Sequence, residues 1–194
     1  QHFLSFSEAK DDFDSKGVSW NGSEIEGAHN TINLDDLAGF KDLYEAAVRI
    51  DGKPKARITN SLSRLRKSMS KRLLAEKALE LGIALECILL AGGDEDGSSG
   101  EITYRLARRG AWLLGENFEE RKRIFSVLKA AYRQRSKVVH EGEVPTMTKR
   151  EFKGEGPMPT SYLIQDAATI CSDAIRKLIL LGSIPDWTDL ILGE

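Results

Sequence analysis

The chain has 194 residues and a formal net charge of −2, and its composition is 41% hydrophobic and 30% charged. These values are ordinary for a soluble globular protein, and a chain of this length can bury a core. No run reaches the roughly 18 uninterrupted apolar residues of a membrane span. The best candidate, residues 81–93, is interrupted by Glu86, so we expect no membrane association.

The beginning of the chain and its two cysteines bear on its cellular compartment. No signal peptide is visible, and the first residue is Gln rather than Met, so we expect a fragment or a processed product. Cys87 and Cys171 lie in apolar helical runs and are expected to be buried thiols in a reducing cytoplasm. Because no Cys/His cluster has zinc-like spacing, we expect neither a metal nor another cofactor.

Charge is distributed unevenly along the chain. Residues 1–52 are rich in acids, whereas residues 53–75 contain eight Lys or Arg and no acid, and residues 102–140 are basic again. Such basic segments are either solvated helix faces or a surface that faces an anion such as RNA.

Residues 1–33 show no clear period, and we interpret them as an irregular lead-in or the end of a preceding domain, with an N-terminal sensor domain in the same chain as one option. From Asn33, a plausible N-cap, the pattern becomes helical, and the residues at helical spacing are Leu34, Leu37, Phe40, Leu43, Tyr44 and Ala47. Residues 34–194 are therefore predicted to form one helical domain.

The later helices are separated by clear breaks at Gly and Pro residues. The predicted helical segments are 33–50, 56–68, 71–91, 101–115, 118–140, 160–181 and a short one within 184–194, with the second and third either separate or continuous. Residues 92–100 and 141–158 are predicted loops. Strand signals are nearly absent after residue 33, so the predicted fold class is an all-α bundle.

One motif at the end of the fifth predicted helix has chemical interest. In "RSKVVHEGE", residues 135–143, Arg135 precedes His140 by five positions. On a regular helix this spacing separates the two side chains by about 140°, whereas Ser136 and His140 share a face. Arg135 and His140 can therefore act together if the last turn is frayed or if two copies combine. The alternative to a catalytic pair is that His140 is simply stabilised by the helix dipole at the end of the helix and that Arg135 is a solvated surface charge.

Three helical segments together resemble the HEPN superfamily, specifically its Apea-like branch. The resemblance covers residues 71–143 and depends on "EKALELGIALECILLAGG", on "YRLARRGAWLLG" and on the R-x4-H signature of Arg135 and His140. It implies a helical bundle that is commonly a homodimer, and a metal-independent endoribonuclease whose R-x4-H motifs meet across the dimer. Its products would carry 2′,3′-cyclic phosphate and 5′-hydroxyl ends.

The resemblance also implies a biological setting. HEPN ribonucleases occur in toxin–antitoxin, CRISPR-associated and abortive-infection systems, so a bacterial defence effector is expected, whereas other HEPN domains are non-catalytic binding or dimerisation modules. A subgroup carries a Tyr two positions after the His, where an antitoxin modifies it. Gly142 occupies that position here, so this mode of control is not supported.

The candidate site residues follow from these two lines of reasoning. Arg135 and His140 are the catalytic candidates, and Ser136 and Glu86 are supporting candidates. Glu86 is interpreted either as a carboxylate paired with an arginine or as a group that orients Arg135 or His140. The candidates for RNA contact are the basic residues Arg64, Lys67, Arg105, Arg109, Arg133 and Lys137.

Overall fold

The computed structural model describes residues 34–91, 99–148 and 157–193. In this part of the chain seven α-helices account for nearly all regular structure, so the predicted all-α class is confirmed. The helices are α1 (Leu34–Arg49), α2 (Gly52–Ser70), α3 (Leu74–Leu89), α4 (Ser99–Leu114), α5 (Phe118–Glu141), α6 (Thr160–Leu181) and α7 (Trp187–Leu192). The predictions for residues 1–33, including the Asn33 cap and the lead-in, lie outside the described residues.

Helices α3 and α6 form the centre of the bundle. Both contact α2, α4 and α5. No residue of α3 is exposed, whereas α6 buries one face and exposes the other. The third predicted helix is therefore central, as its apolar composition indicated. The fully buried core side chains of these two helices are Leu81, Ala84, Leu85, Ile88, Leu89, Leu163, Ala167, Cys171, Ala174 and Leu178.

Helix α1 packs against α6 with part of its predicted helical pattern. Leu43, Ala46 and Ala47 lie against the core, whereas Phe40 and Tyr44 are 66% and 61% exposed. Leu43 and Ala47 therefore face the core as their spacing suggested, and Phe40 and Tyr44 do not. The apolar stripe of α1 is wider than the face that α6 covers, and the small alanines allow the closer approach.

Helices α2 and α3 are separate, with a break at residues 71–73. Two serines of α2 join them: Ser61 Oγ donates to Ala84 O at 2.8 Å, and Ser68 Oγ donates to Lys77 O at 2.8 Å. Because the serine face is turned toward α3, Leu62 on the neighbouring face is 45% exposed.

The ends of α5 follow local sequence signals. Asn117 Oδ1 accepts a hydrogen bond from Glu120 N at 3.0 Å and caps the first turn. Gly142 ends the helix in the left-handed conformation, with a φ of 81°. Residues 139–143 are all exposed, so the last turn projects beyond the bundle. Val139 is consequently 53% exposed.

The segment predicted as a loop at 141–158 contains a short antiparallel ribbon. Strand β1 (Met147–Thr148) pairs with β2 (Met158–Pro159), with Met147 opposite Pro159 and Thr148 opposite Met158. Gln134 Nε2 donates to Thr148 Oγ1 at 3.1 Å and ties the ribbon to α5. Two-residue strands are too short for a periodic pattern, which explains why the sequence did not predict them.

Two helical glycines test the packing of the bundle. A methyl group on Gly110 of α4 would overlap Leu128 Cδ1 of α5, and Leu128 is fully buried. Gly110→Ala should therefore lower the free energy of unfolding by about 1–3 kcal/mol. Gly39→Ala in α1 meets nothing within 4 Å and should raise it by about 0.5–1 kcal/mol. Urea denaturation of both variants provides the comparison, and equal stability of Gly110→Ala and wild type would contradict this packing.

Candidate functional site

Glu86 of α3 and two residues of α5 form the Glu86 cluster, which consists of Glu86, Tyr132 and Arg135. Tyr132 donates its hydroxyl proton to Glu86 Oε1 at 2.6 Å. Arg135 Nη2 lies 3.2 Å from the same oxygen and forms an ion pair with it. Tyr132 and Arg135 share a face of α5 because they are three positions apart. The carboxylate in the apolar helix is thus paired with an arginine.

Gly82 allows Arg135 to reach Glu86. The stem of Arg135 crosses α3 directly above Gly82, where an added Cβ would overlap Arg135 Cγ and lie 2.7 Å from its Cβ. Arg135 Nε is buried and has no hydrogen-bond partner in the described part of the chain. The Arg135 side chain remains 28% exposed, so the accessible part of this residue lies toward its terminal nitrogens.

The electrostatics of the cluster keep Tyr132 protonated. Burial, together with the hydrogen bond to Glu86 and the charge of that carboxylate, raises the pKa of Tyr132 well above its usual value. The hydroxyl therefore remains a proton donor to Glu86 throughout the neutral range. The guanidinium carbon of Arg135 lies 5.7 Å from the centre of the Tyr132 ring, so the tyrosine contacts both charged partners.

His140 occupies the projecting last turn of α5 and is exposed. The helix stays regular through Glu141, and Gly142 N donates to Val138 O at 2.9 Å. A frayed last turn therefore does not bring Arg135 and His140 together in one chain. Ser136 is half-buried one turn before His140. Within one copy Arg135 and His140 keep the separation of about 140° that helical geometry gives.

The predicted RNA-contacting residues lie on three helices. Arg133 is exposed and Lys137 half-buried on α5, close in sequence to Arg135. On α2, Lys67 is exposed, whereas Arg64 Nη1 pairs with Glu80 Oε2 at 3.0 Å and joins α2 to α3. The Arg64 side chain is 39% exposed despite this ion pair, so both residues remain accessible to solvent.

Arg105 and Arg109 belong to α4. Arg109 is buried, with 6% of its surface exposed, and its Nη1 donates to Leu89 O at 2.9 Å. The sequence offered no sign of this structural contact, because it depends on where α3 ends relative to α4. Arg105 is half-buried and lines a cleft beside α7.

No family model, curated protein or solved structure matches this chain. None of the described helices is long and apolar enough to cross a membrane. Within residues 34–91, 99–148 and 157–193, no group of three or more His, Cys, Asp or Glu side chains is placed to hold a metal ion. The site must therefore be interpreted from its own geometry.

The two cysteines are free, as expected from the sequence. Burial raises the pKa of the Cys171 thiol to about 12, and burial is also the main cause of the raised pKa of Cys87. Both thiols are therefore protonated at neutral pH and are poor nucleophiles.

Sequence reasoning found Glu86 and Arg135 but missed Tyr132 and Gly82 as members of the site. A signal for Tyr132 was present, because a carboxylate in an apolar helix needs more than one partner. No local pattern marks Gly82, because its role depends on the close approach of two helices that are far apart in the sequence.

The hydrogen bond from Tyr132 can be tested with a matched pair of tyrosines. Tyr132→Phe should lower the free energy of unfolding by about 1.5 kcal/mol, because it removes a hydrogen bond to a charged acceptor that keeps Arg135 as its other partner. Tyr162→Phe, at a position 62% exposed on α6, should change it by less than about 0.5 kcal/mol. Urea denaturation measures both, and indistinguishable variants would show that the bond is not formed.

Proposed function

We propose that the protein is a metal-independent endoribonuclease of HEPN type in which Arg135 binds the scissile phosphate and His140 transfers a proton. The observation that carries the proposal is the fixed position of Arg135. Glu86 and Gly82 hold it on α5 one turn and a half before the exposed His140. The resemblance of residues 71–143 to HEPN domains supports the same chemistry, and a role as effector of a bacterial defence or toxin protein is part of this proposal.

The reaction requires a base for the ribose 2′-hydroxyl. His140 is the candidate for this base, because an imidazole nitrogen can accept a proton in general base catalysis. The 2′-oxygen then attacks phosphorus and forms the P–O2′ bond, while the P–O5′ bond breaks. A water molecule donates a proton to the leaving 5′-oxygen, and the protonated His140 returns its proton to the hydroxide that remains. The products are a 2′,3′-cyclic phosphate and a 5′-hydroxyl, and DNA resists because it lacks the 2′-hydroxyl.

Arg135 stabilises the extra negative charge that the phosphate acquires in the transition state. A guanidinium can donate two parallel hydrogen bonds to phosphate oxygens and remains charged at all relevant pH values. The Glu86 ion pair holds this group in place before RNA binds, so little side-chain entropy is lost during the reaction. Tyr132 disperses part of the Glu86 charge by donating to it.

A homodimer follows from the helix geometry if both residues act on one phosphate. Because α5 is regular through Glu141, Arg135 and His140 of one copy point in directions about 140° apart. A second copy related by a two-fold axis near the end of α5 can supply the missing residue. The exposed Val139 beside His140 offers an apolar contact for that copy.

A non-catalytic HEPN binding module is the second candidate. One observation favours it: the Arg135 guanidinium is already paired with Glu86, which is a sufficient structural role for an arginine. In that case Arg135 and His140 would contribute to stability or binding without cleavage. The two functions differ in whether the 2′-hydroxyl of a bound RNA attacks the phosphate, and therefore in whether the RNA is cleaved.

Substitutions at the two residues test catalysis directly. His140→Ala and Arg135→Ala should each reduce cleavage of labelled single-stranded RNA by about 10²–10⁴-fold, the usual effect of losing a general base or its equivalent. Arg135→Lys should recover little, because Lys cannot make the bidentate contact. Arg176→Ala, which removes an exposed charge from α6, is the matched control and should cleave as wild type does.

Circular dichroism should show unchanged helix content in all four variants, because neither catalytic candidate is a core residue. Addition of EDTA should leave the cleavage rate unchanged if no metal takes part. Cleavage by His140→Ala at the wild-type rate would overturn the catalytic assignment and leave the binding module as the better account.

Mixing two inactive variants tests the shared site. If each site takes Arg135 from one copy and His140 from the other, a dimer of one Arg135→Ala and one His140→Ala chain contains one intact site. After refolding together, such a mixture should recover roughly a quarter of wild-type activity, because half of the dimers are mixed and each has one site. No recovery, or a fully active monomer by light scattering, would contradict the shared site.

A further inference from the structure

A second site lies between α4 and α7, on different elements from the Glu86 cluster. It is an open cleft of about 390 Å³, which is within the usual size range for small-molecule sites. The described residues that line it combine arginines, aromatic rings and aliphatic side chains. They are Glu101, Tyr104, Arg105, Arg108, Arg109, Trp187, Thr188, Ile191 and Leu192.

One wall of the cleft is rigid. Trp187 is buried and donates its Nε1 proton to Ala91 O at 2.6 Å. Arg109 lies 5.0 Å from the centre of the Trp187 ring and donates to Leu89 O. These contacts bind α7 and α4 to the end of α3, so the wall keeps its shape without a ligand.

The other wall is a polar face of α4. Arg105 and Arg108 are three positions apart on this face, and both are half-buried. No hydrogen bond or ion pair joins Arg108 to the described part of the chain. Glu101, one turn earlier, is the only acid among the described lining residues, so the arginines outnumber it by three to one.

Apolar surface lies beside these charges. Tyr104 is 51% exposed, and its ring is held by an edge contact with Phe125, with ring centres 5.4 Å apart. Ile191 and Leu192 form the opposite lip, and Leu192 is 71% exposed. A ligand that fits this cleft has an anionic group next to a flat, weakly polar one.

We infer that the cleft binds a nucleotide, with the phosphate held by Arg105 and Arg108 and the base placed on Tyr104 against the α7 lip. Guanidinium groups bind phosphate oxygens with charge-assisted hydrogen bonds, and aromatic side chains stack on bases of any sequence. The nucleotide is either a free nucleoside monophosphate or one residue of a single strand. This binding does not depend on cleavage at His140.

Isothermal titration of the full chain tests the inference with defined probes. The four ribonucleoside 5′-monophosphates represent the free ligand. A short oligodeoxyadenylate represents the strand, and it cannot be cleaved because it lacks 2′-hydroxyls. Inorganic phosphate represents the anion alone. Similar affinity for monophosphates and the strand indicates a free nucleotide, whereas tighter binding of the strand indicates a strand subsite, and both results support the inference.

Variants connect binding to the cleft. Arg108→Ala should weaken nucleotide binding at least about tenfold, since it removes a charge-assisted hydrogen bond. Tyr104→Leu should weaken nucleotides but not inorganic phosphate. Leu192→Glu places a negative charge at an exposed position that cannot disturb the core, so it should weaken binding even if another variant folds poorly. Arg176→Ala and Tyr162→Leu on α6 are the controls.

Three outcomes would overturn the inference. Absence of binding by every nucleotide probe at about 1 mM excludes a useful site. Binding that Arg108→Ala, Tyr104→Leu and Leu192→Glu all leave unchanged places the nucleotide elsewhere. Equal affinity for inorganic phosphate and nucleotides reduces the cleft to a simple anion site. None of these results affects the RNA-cleavage test of His140 and Arg135, so the two proposals fail separately.

Discussion

The Glu86 carboxylate lies on the central helix of the bundle, and its charge must be compensated where it stands. An uncompensated charge at a position only 27% exposed would lower the stability of the fold by several kcal/mol. Helix α5 must therefore place a hydrogen-bond donor beside Glu86 where it packs against α3. Tyr132 and Arg135 provide two donors from successive positions on one face of α5. Gly82 permits the close approach of the arginine stem. The register between α3 and α5 is therefore tied to one carboxylate, and the position of any group farther along α5, including His140, depends on it.

The same central helix also organises the cleft between α4 and α7 through its other end. Leu89 O and Ala91 O, at the end of α3, accept hydrogen bonds from Arg109 and Trp187. The unsatisfied carbonyls that every helix leaves at its C-terminus are here paired with side chains from α4 and α7. Leu90 N donates to Glu86 O, so the two regions share the last turn of α3. A shift of that turn would move both the Glu86 cluster and the rigid wall of the cleft.

The sequence predicted the helices well because their ends depend on local chemistry. Asn117, Gly142 and Gly182 each end or begin a helix with a cap that is visible in the sequence, and the structure places the boundaries of α5 and α6 within one residue of the prediction. Faces were harder to predict. Phe40 and Leu43 are both apolar, and the position of α6 decides which of them is covered. The pairing of Glu86 with Arg135 had the same nonlocal origin, and it was predicted only as one of two alternatives because a charge in an apolar helix demands some partner.

In the proposed ribonuclease mechanism, the contacts of Arg135 limit how it can bind phosphate. Its Nε is buried without a partner in the described chain, and its Nη2 is engaged by Glu86, so a bidentate contact through the Nε edge would require the side chain to leave α3. The alternative is an end-on contact in which both terminal nitrogens face the phosphate and Nη2 is shared with Glu86. That contact keeps the ion pair and its orienting effect, and it places the negative charge of the phosphate near a carboxylate. The hydrogen bond from Tyr132 then has a second consequence, because it draws Glu86 charge away from the guanidinium and leaves more of the Arg135 charge for the phosphate.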